Sequence, residues 1–314
     1  MGSSRPLVLA LSLAVEVLLV AALVVVAVPS RASGSSGAVV ASAPPARGPF
    51  DGLGAWADMY SWSVRFSPNG VPRFGVADVD AMARAGVQTL YIQAAEQTGP
   101  ATALEPDRLG TLIRRAHRDC VAVVAWYYPT LVNLSDDLTR LRQIARLPVE
   151  GVAVDIETTD VADIGARNAA LISLSQQLRR ALAFVPLGAV VLPATLLEVV
   201  NTQYWPNFPY LALAPLYDAW LPMVYWTGRL PSSGFNDGYR YTVDSVNRLR
   251  ADLGPAGRAP VNPIGGISDD GISPTDVQGF VAAVRATGSV GGSIYEWSGT
   301  DPSAWATLRA VRAP

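Results

Sequence analysis

The residues best suited to chemistry in this chain are two carboxylates, Asp155 and Glu157, which close the segment Gly151-Val152-Ala153-Val154-Asp155-Ile156-Glu157. The segment reads as a short buried β-strand. Residues two apart on a strand point to the same side, so Ala153, Asp155 and Glu157 share one face while Val152, Val154 and Ile156 share the other. Two acids stacked on successive pleats repel when both are ionised, so one tends to keep its proton near neutral pH. A pair of this kind is equipped for general acid–base work, in which a protonated carboxyl donates to a leaving group beside an ionised partner. The same oxygens, joined by Asp58, offer a second use as ligands for a hard cation such as Mg²⁺ or Ca²⁺.

Composition narrows the chemistry further. The chain has 314 residues, half of them hydrophobic, with a net charge of −2. That length supports one large domain with a substantial core, and there is no basic excess to suggest nucleic acid. All 24 basic residues are arginine, which suggests a GC-rich bacterial genome. The lack of lysine argues against Schiff-base aldolases, pyridoxal-phosphate enzymes and P-loop nucleotidases, all of which need one. His117 and Cys120 are the only residues of their kinds and fall together late in an expected helix. Zinc sites built on several imidazoles are therefore not expected, and one cysteine makes no internal disulfide. The chain offers no metal set of transition-metal type and calls for no cofactor. The oligomeric state is left open.

The elements that must position the acids follow from hydrophobic patterning. Leu7–Val28 is an apolar run preceded by Arg5 and followed by Pro29. Residues 1–29 are expected to be a signal peptide or a membrane anchor, which implies export. Residues 30–49 have the Ser/Gly/Ala/Pro composition of a linker, and 50–314 form the folded region. There, strand patterns over Gly54–Asp58, Val87–Gln93, Val121–Tyr127, Gly151–Glu157, Leu187–Leu192, Trp220–Tyr225, Pro260–Gly265 and Ser289–Trp297 alternate with helical ones. The helices are expected at Val76–Ala85, Arg108–Asp119, Ser135–Arg146, Val161–Ala183, Leu211–Tyr217, Val243–Leu253, Pro274–Thr287 and Pro302–Val311, with Ser135 and Ser273 as N-caps. Eight β-then-α units without hairpin signals predict the α/β class, as a single (β/α)8 barrel. An open doubly wound sheet is the alternative, although no Gly-rich phosphate loop follows the first strand.

In such a barrel the chemistry lies where strands lead into helices. Those positions hold Asp58, Gln93, Tyr127, Asp155, Glu157, Tyr225, Trp226, Asp269, Asp270, Tyr295, Glu296 and Trp297. Aromatic residues, including Tyr128 and Tyr204, gather near the same loops. Flat rings suit the apolar faces of sugars, while carboxylates and amides meet hydroxyls. Strand parity turns Glu296 outward if Tyr295 and Trp297 face the lumen, which leaves Asp58 the better second carboxylate.

These residues resemble a known family. Gly151–Glu157 is similar to the D-x-x-D-x-D-x-E strand of family 18 glycoside hydrolases, the chitinase-like barrels. Met223-Val224-Tyr225 resembles their M-x-Y-D, and Gly291-Gly292-Ser293-Ile294-Tyr295-Glu296-Trp297 resembles their last strand, where a tryptophan floors the sugar site. Family 25 lysozyme-like barrels, which share the D-x-E ending, are a second resemblance. The first implies that Glu157 is the general acid, that Asp155 orients an N-acetyl group whose carbonyl oxygen attacks the anomeric carbon, and that Tyr225 hydrogen-bonds this acetamide. Asp58, Gln93, Tyr127, Trp226, Tyr295 and Trp297 are the expected substrate-binding residues. The implied partner is an envelope or extracellular polysaccharide, with a membrane as second partner if the N-terminal segment is retained. The chain departs from the motif at Glu150, Ala153 and Trp226, where the family has aspartates. A barrel that binds glycan without cleaving it is therefore the alternative.

Overall fold

The computed structural model describes residues 47–267 and 271–313. The apolar run Leu7–Val28, most of the expected linker and the pair Asp269-Asp270 lie outside the described residues. Eight parallel strands close into a barrel in sequence order. They are β1 (Gly52–Ala57), β2 (Thr89–Gln93), β3 (Ala122–Tyr127), β4 (Gly151–Ile156), β5 (Leu187–Val191), β6 (Ala219–Val224), β7 (Ile264–Gly265) and β8 (Gly291–Ile294). The helices are α1 (Met59–Trp62), α2 (Val76–Ala85), α3 (Pro106–Arg118), α4 (Leu134–Ile144), α5 (Ile164–Ala181), α6 (Tyr210–Leu213), α7 (Gly238–Asp252), α8 (Pro274–Ala286) and α9 (Ala304–Leu308). This is the (β/α)8 barrel that the alternating pattern predicts.

Strands covered on both faces carry apolar residues in both directions. In β4, Val152, Val154 and Ile156 are buried on one side, and Ala153 and Asp155 on the other. Asp163 starts α5 by accepting from Ala166 N at 2.7 Å, and Ser273 starts α8 by accepting from Asp276 N at 3.1 Å. The expected cap at Ser135 is displaced. Asn133 takes that place, with its amide oxygen 3.1 Å from Ser135 N, because its side chain reaches the free amides one turn earlier. The seventh strand is shorter than the run Pro260–Gly265 suggests. Pro260 and Pro263 cannot donate to a ladder, and the Asn262 side chain instead donates to Phe50 O at 2.8 Å and Gly52 O at 3.0 Å.

The fold begins a little earlier than composition indicates. Arg47 donates to Gln88 O at 2.9 Å, Thr89 donates to Pro49 O at 3.1 Å, and Phe50 fills the base of the barrel. Gly188 makes room for that ring, since a Cβ there would lie 2.7 Å from Phe50. Above it the lumen is aromatic. Trp56 stacks on Tyr91 with centroids 4.4 Å apart, Trp126 meets Trp56 edge-on at 5.7 Å, and Trp56 donates to Ser293 Oγ at 3.0 Å. A Cβ on Gly54 would fall 2.5 Å from Tyr91, so this stack depends on the glycine.

Candidate functional site

Asp155 and Glu157 stand above this dry aromatic layer at the end of β4. Trp126 is the register neighbour of Ala153, and Val190 that of Asp155, so the carboxyls rise from a ring of apolar groups. Asp155 is 8% exposed, and among the described residues its Oδ1 has no hydrogen-bond partner. Burial holds its carboxyl well above the usual range, and the neighbouring Glu157 charge adds to the effect. Burial also raises Glu157. The loop carrying Glu157 is fixed from behind by the buried Arg167, which donates to Val161 O at 2.9 Å and Thr159 O at 2.8 Å and lies over the Trp205 ring.

Tyr225, at the end of β6, faces the same pair. Its phenol is pushed up by burial first, then by Asp155 and Glu157. Tyr295, one residue past β8, has its ring centroid 6.0 Å from that of Tyr225, and its hydroxyl donates to Asp58 Oδ2 at 2.9 Å. Asp58 itself caps α1, taking Ser61 N on Oδ1 at 2.9 Å. Asp155, Glu157, Tyr225, Tyr295 and Asp58 are thus gathered at one end of the lumen. Asp58 sits there as the brace of Tyr295, with both oxygens engaged, rather than as an open second carboxylate or cation ligand. Among the described residues no group of three His, Cys, Asp or Glu is placed to hold a metal ion.

Three expected substrate-binding residues, Tyr127, Trp226 and Trp297, are placed elsewhere. Tyr127 is fully buried on the outer side of β3, where its hydroxyl donates to Asp137 Oδ1 of α4 at 2.6 Å. Parity explains the correction: with Trp126 in the lumen, Tyr127 must turn to the helices. Trp226 is likewise buried, packed at 5.5 Å against Phe280 of α8 and over Gly265 and Gly266. Gln93 stays on the lumen side, in register with Trp126, but is buried, and its Oε1 accepts from Met59 N at 3.0 Å, which ties α1 to β2. Trp297 has left the lumen. It stacks at 4.7 Å on Trp305, donates to Asp78 Oδ1 at 3.3 Å, and lines a flank cavity of about 590 Å³ with Arg73 and Arg309. Glu296, two residues past the end of β8, pairs with Arg73 at 3.5 Å.

Two of the aromatics expected near the loops, Tyr128 and Tyr204, come up to the acid pair. Tyr128 continues the inward parity of Trp126 and comes level with Asp155, and its phenol is raised by burial with Glu157 and Asp155 adding. Tyr204, from the segment after β5, is raised by burial and by Glu157. The alternation Trp126–Tyr128 was a usable signal for the first. Tyr204 lies too far along the chain for any local pattern to place it. At the opposite end of β4, Glu150 accepts from Val123 N at 2.7 Å and meets His117, far from the acid pair.

The chain matches no protein-family model and no curated protein. Its fold is similar to that of the spore cortex-lytic enzyme SleL of Bacillus cereus, with 11% identity over 84% of this chain and 74% of that one and a TM-score of 0.61. It is similar to a class V chitinase from Pseudomonas fluorescens, with 12% identity over 83% and 99% of the two chains and a TM-score of 0.59. It is also similar to a mutant GH18 chitinase from Cycas revoluta in complex with (GlcNAc)4, with 12% identity over 82% and 98% and a TM-score of 0.58. The resemblance to family 25 lysozyme-like barrels is not shown by these likenesses. The fold is that of a chitinase-like (β/α)8 barrel.

Proposed function

We propose that this protein is an exported glycoside hydrolase that cleaves an N-acetylated envelope or extracellular polysaccharide at the barrel mouth. The observation that carries the reading is the Asp155–Glu157 pair. Asp155 is buried and Glu157 half-buried above an aromatic layer, and both are held toward the protonated form. A raised Glu157 is suited to give its proton to the glycosidic oxygen as the bond to the anomeric carbon breaks. The substrate's own acetamide oxygen attacks that carbon, in the substrate-assisted route that departs from the two-carboxylate scheme. Asp155 accepts the acetamide N–H on the oxygen that lacks a protein partner, and Tyr225 donates its phenol to the acetamide oxygen. Water then attacks the anomeric carbon, the bond from that carbon to the acetamide oxygen breaks and restores the acetamide, and the water's proton passes to Glu157. Tyr295 and Tyr128 supply faces for the sugar ring.

The second reading is a glycan-binding barrel without turnover, and Ala153 favours it, since no third carboxyl stands below Asp155 to share its proton. Glu157→Gln separates the two. Release of reducing ends from chitin or peptidoglycan is expected to vanish while binding to the insoluble polymer survives. Undiminished hydrolysis in that variant refutes the assignment of Glu157, and a wild-type protein that binds without any turnover establishes the second reading.

A further inference from the structure

The charges of this barrel are sorted by end. Each long helix runs back against the strands, so its first turn lies at the mouth and its last turn at the opposite face, where the strands begin. The first turns of α2, α3, α4 and α8 carry Asp78, Asp107, Asp136 and Asp276, and the last turns of α2, α3, α4, α5 and α8 carry Arg84, Arg118, Arg142, Arg180 and Arg285. The helix dipole favours this arrangement within each helix. Repeated around a ring of helices, it leaves that face with an excess of cations although the chain's net charge is −2, since the acids there, Asp119, Glu150 and Asp218, are paired with Arg115, His117 and Arg179. Those five arginines are exposed, and among the described residues none of them forms an ion pair.

Two further features fall on the same face. Phe184, in the turn between α5 and β5, is wholly exposed and lies close in sequence to Arg180, an apolar tip among cations. The chain also enters the barrel there, through Arg47 against Gln88 and Phe50 beneath Gly188. Ahead of Arg47 the sequence has the apolar run Leu7–Val28 and then Pro29–Ala46. Even fully extended, that intervening stretch spans at most about 60 Å. If the run is retained in a bilayer, the face nearest the lipid is the arginine ring.

We infer that the face of the barrel opposite the mouth, with its arginines and Phe184, is a docking surface for an anionic lipid bilayer, and that it holds the acid pair pointing away from the membrane. Arginines attract acidic headgroups at roughly fivefold in affinity each near the surface, and an aromatic tip suits headgroup depth.

Cys120 makes the test direct, because the chain's one cysteine is exposed on this face at the end of α3. The full chain, labelled there with a polarity-sensitive fluorophore, is reconstituted with vesicles of phosphatidylcholine alone or with phosphatidylglycerol added. Docking predicts that the label becomes less polar in the phosphatidylglycerol vesicles only, and that salt reverses the change. Substituting Arg84, Arg142 and Arg180 together with Gln should weaken docking on the order of a hundredfold while leaving circular dichroism and hydrolysis of soluble glycan unchanged. Equal label response on both vesicles, or an unaltered response in the triple variant, overturns the inference. A response to soluble polyglycerol phosphate but not to phosphatidylglycerol vesicles also overturns it, and gives the face to a wall polymer instead. None of these readings depends on Glu157, so the docking surface and the proposed hydrolysis fail separately.

Discussion

Replacing Asp155 by Asn should remove part of a pH dependence of stability that the wild-type barrel carries. The folded Asp155 carboxyl is held well above its ordinary value, by burial first and by Glu157 second, and Glu157 is raised as well. In the unfolded chain both titrate near about 4. Between that value and the folded one, the native state keeps a proton that the unfolded state has released, so stability falls as pH rises. Each such group contributes a slope of up to about 1.4 kcal/mol per pH unit, and two together up to about 2.7. The stabilisation is complete below the unfolded value and is lost as pH climbs through the folded one. Asparagine has the same shape and no titration, so Asp155→Asn removes one group's share of the slope. It shifts the curve by a constant as well, because the amide brings its own buried donors, and the slope is therefore the quantity to read. Urea midpoints from about pH 4 to pH 8, converted with a common m-value, should show the variant gaining on the wild type at every step upward. A gap that stays constant across this range, or a variant that loses ground to the wild type as pH rises, refutes the reasoning. That result would mean that Asp155 is ionised in the folded protein and hydrogen-bonded where no partner is seen.

Tyr127→Phe removes the 2.6 Å bond to Asp137, which keeps Leu131 N at 2.8 Å and Thr130 N at 3.1 Å; a loss of about 1.5–3 kcal/mol is expected in urea melts, with glycan affinity unchanged. Tyr295→Phe releases Asp58 from its 2.9 Å bond, so calorimetric titration with a soluble oligosaccharide should show weaker binding and a stability loss of about 1–2 kcal/mol. Gly54→Ala places a methyl 2.5 Å from Tyr91, and the displaced Trp56–Tyr91 stack should cost at least about 1–3 kcal/mol in thermal unfolding and red-shift tryptophan emission.

Much of the site was legible in the sequence because strand periodicity is short. Asp155 and Glu157 share a face by alternation, and Tyr225, one residue past β6, keeps the inward parity of Met223. Where that rule was set aside in favour of position at a strand end, the expectation failed. Tyr127 ends β3, yet its parity sends it to the helices, and Trp226 lies two residues past β6 in a 3-10 turn that packs it on α8. Trp297 lies on the parity of Tyr295, but β8 ends at Ile294, and beyond a strand's end alternation no longer sets direction.

The sequence by itself therefore determined the barrel, the face on which the acids stand and the absence of a third carboxyl at Ala153, because these depend on residues a few positions apart. Only the tertiary structure decided that Asp58 braces Tyr295, that Gln93 is spent on Met59, and that Tyr128 and Tyr204 close around Glu157. It alone shows that the arginines of separate helices form one face. Each of these depends on closing the barrel, which brings the first strand against the eighth and aligns helix ends that lie tens of residues apart in the chain.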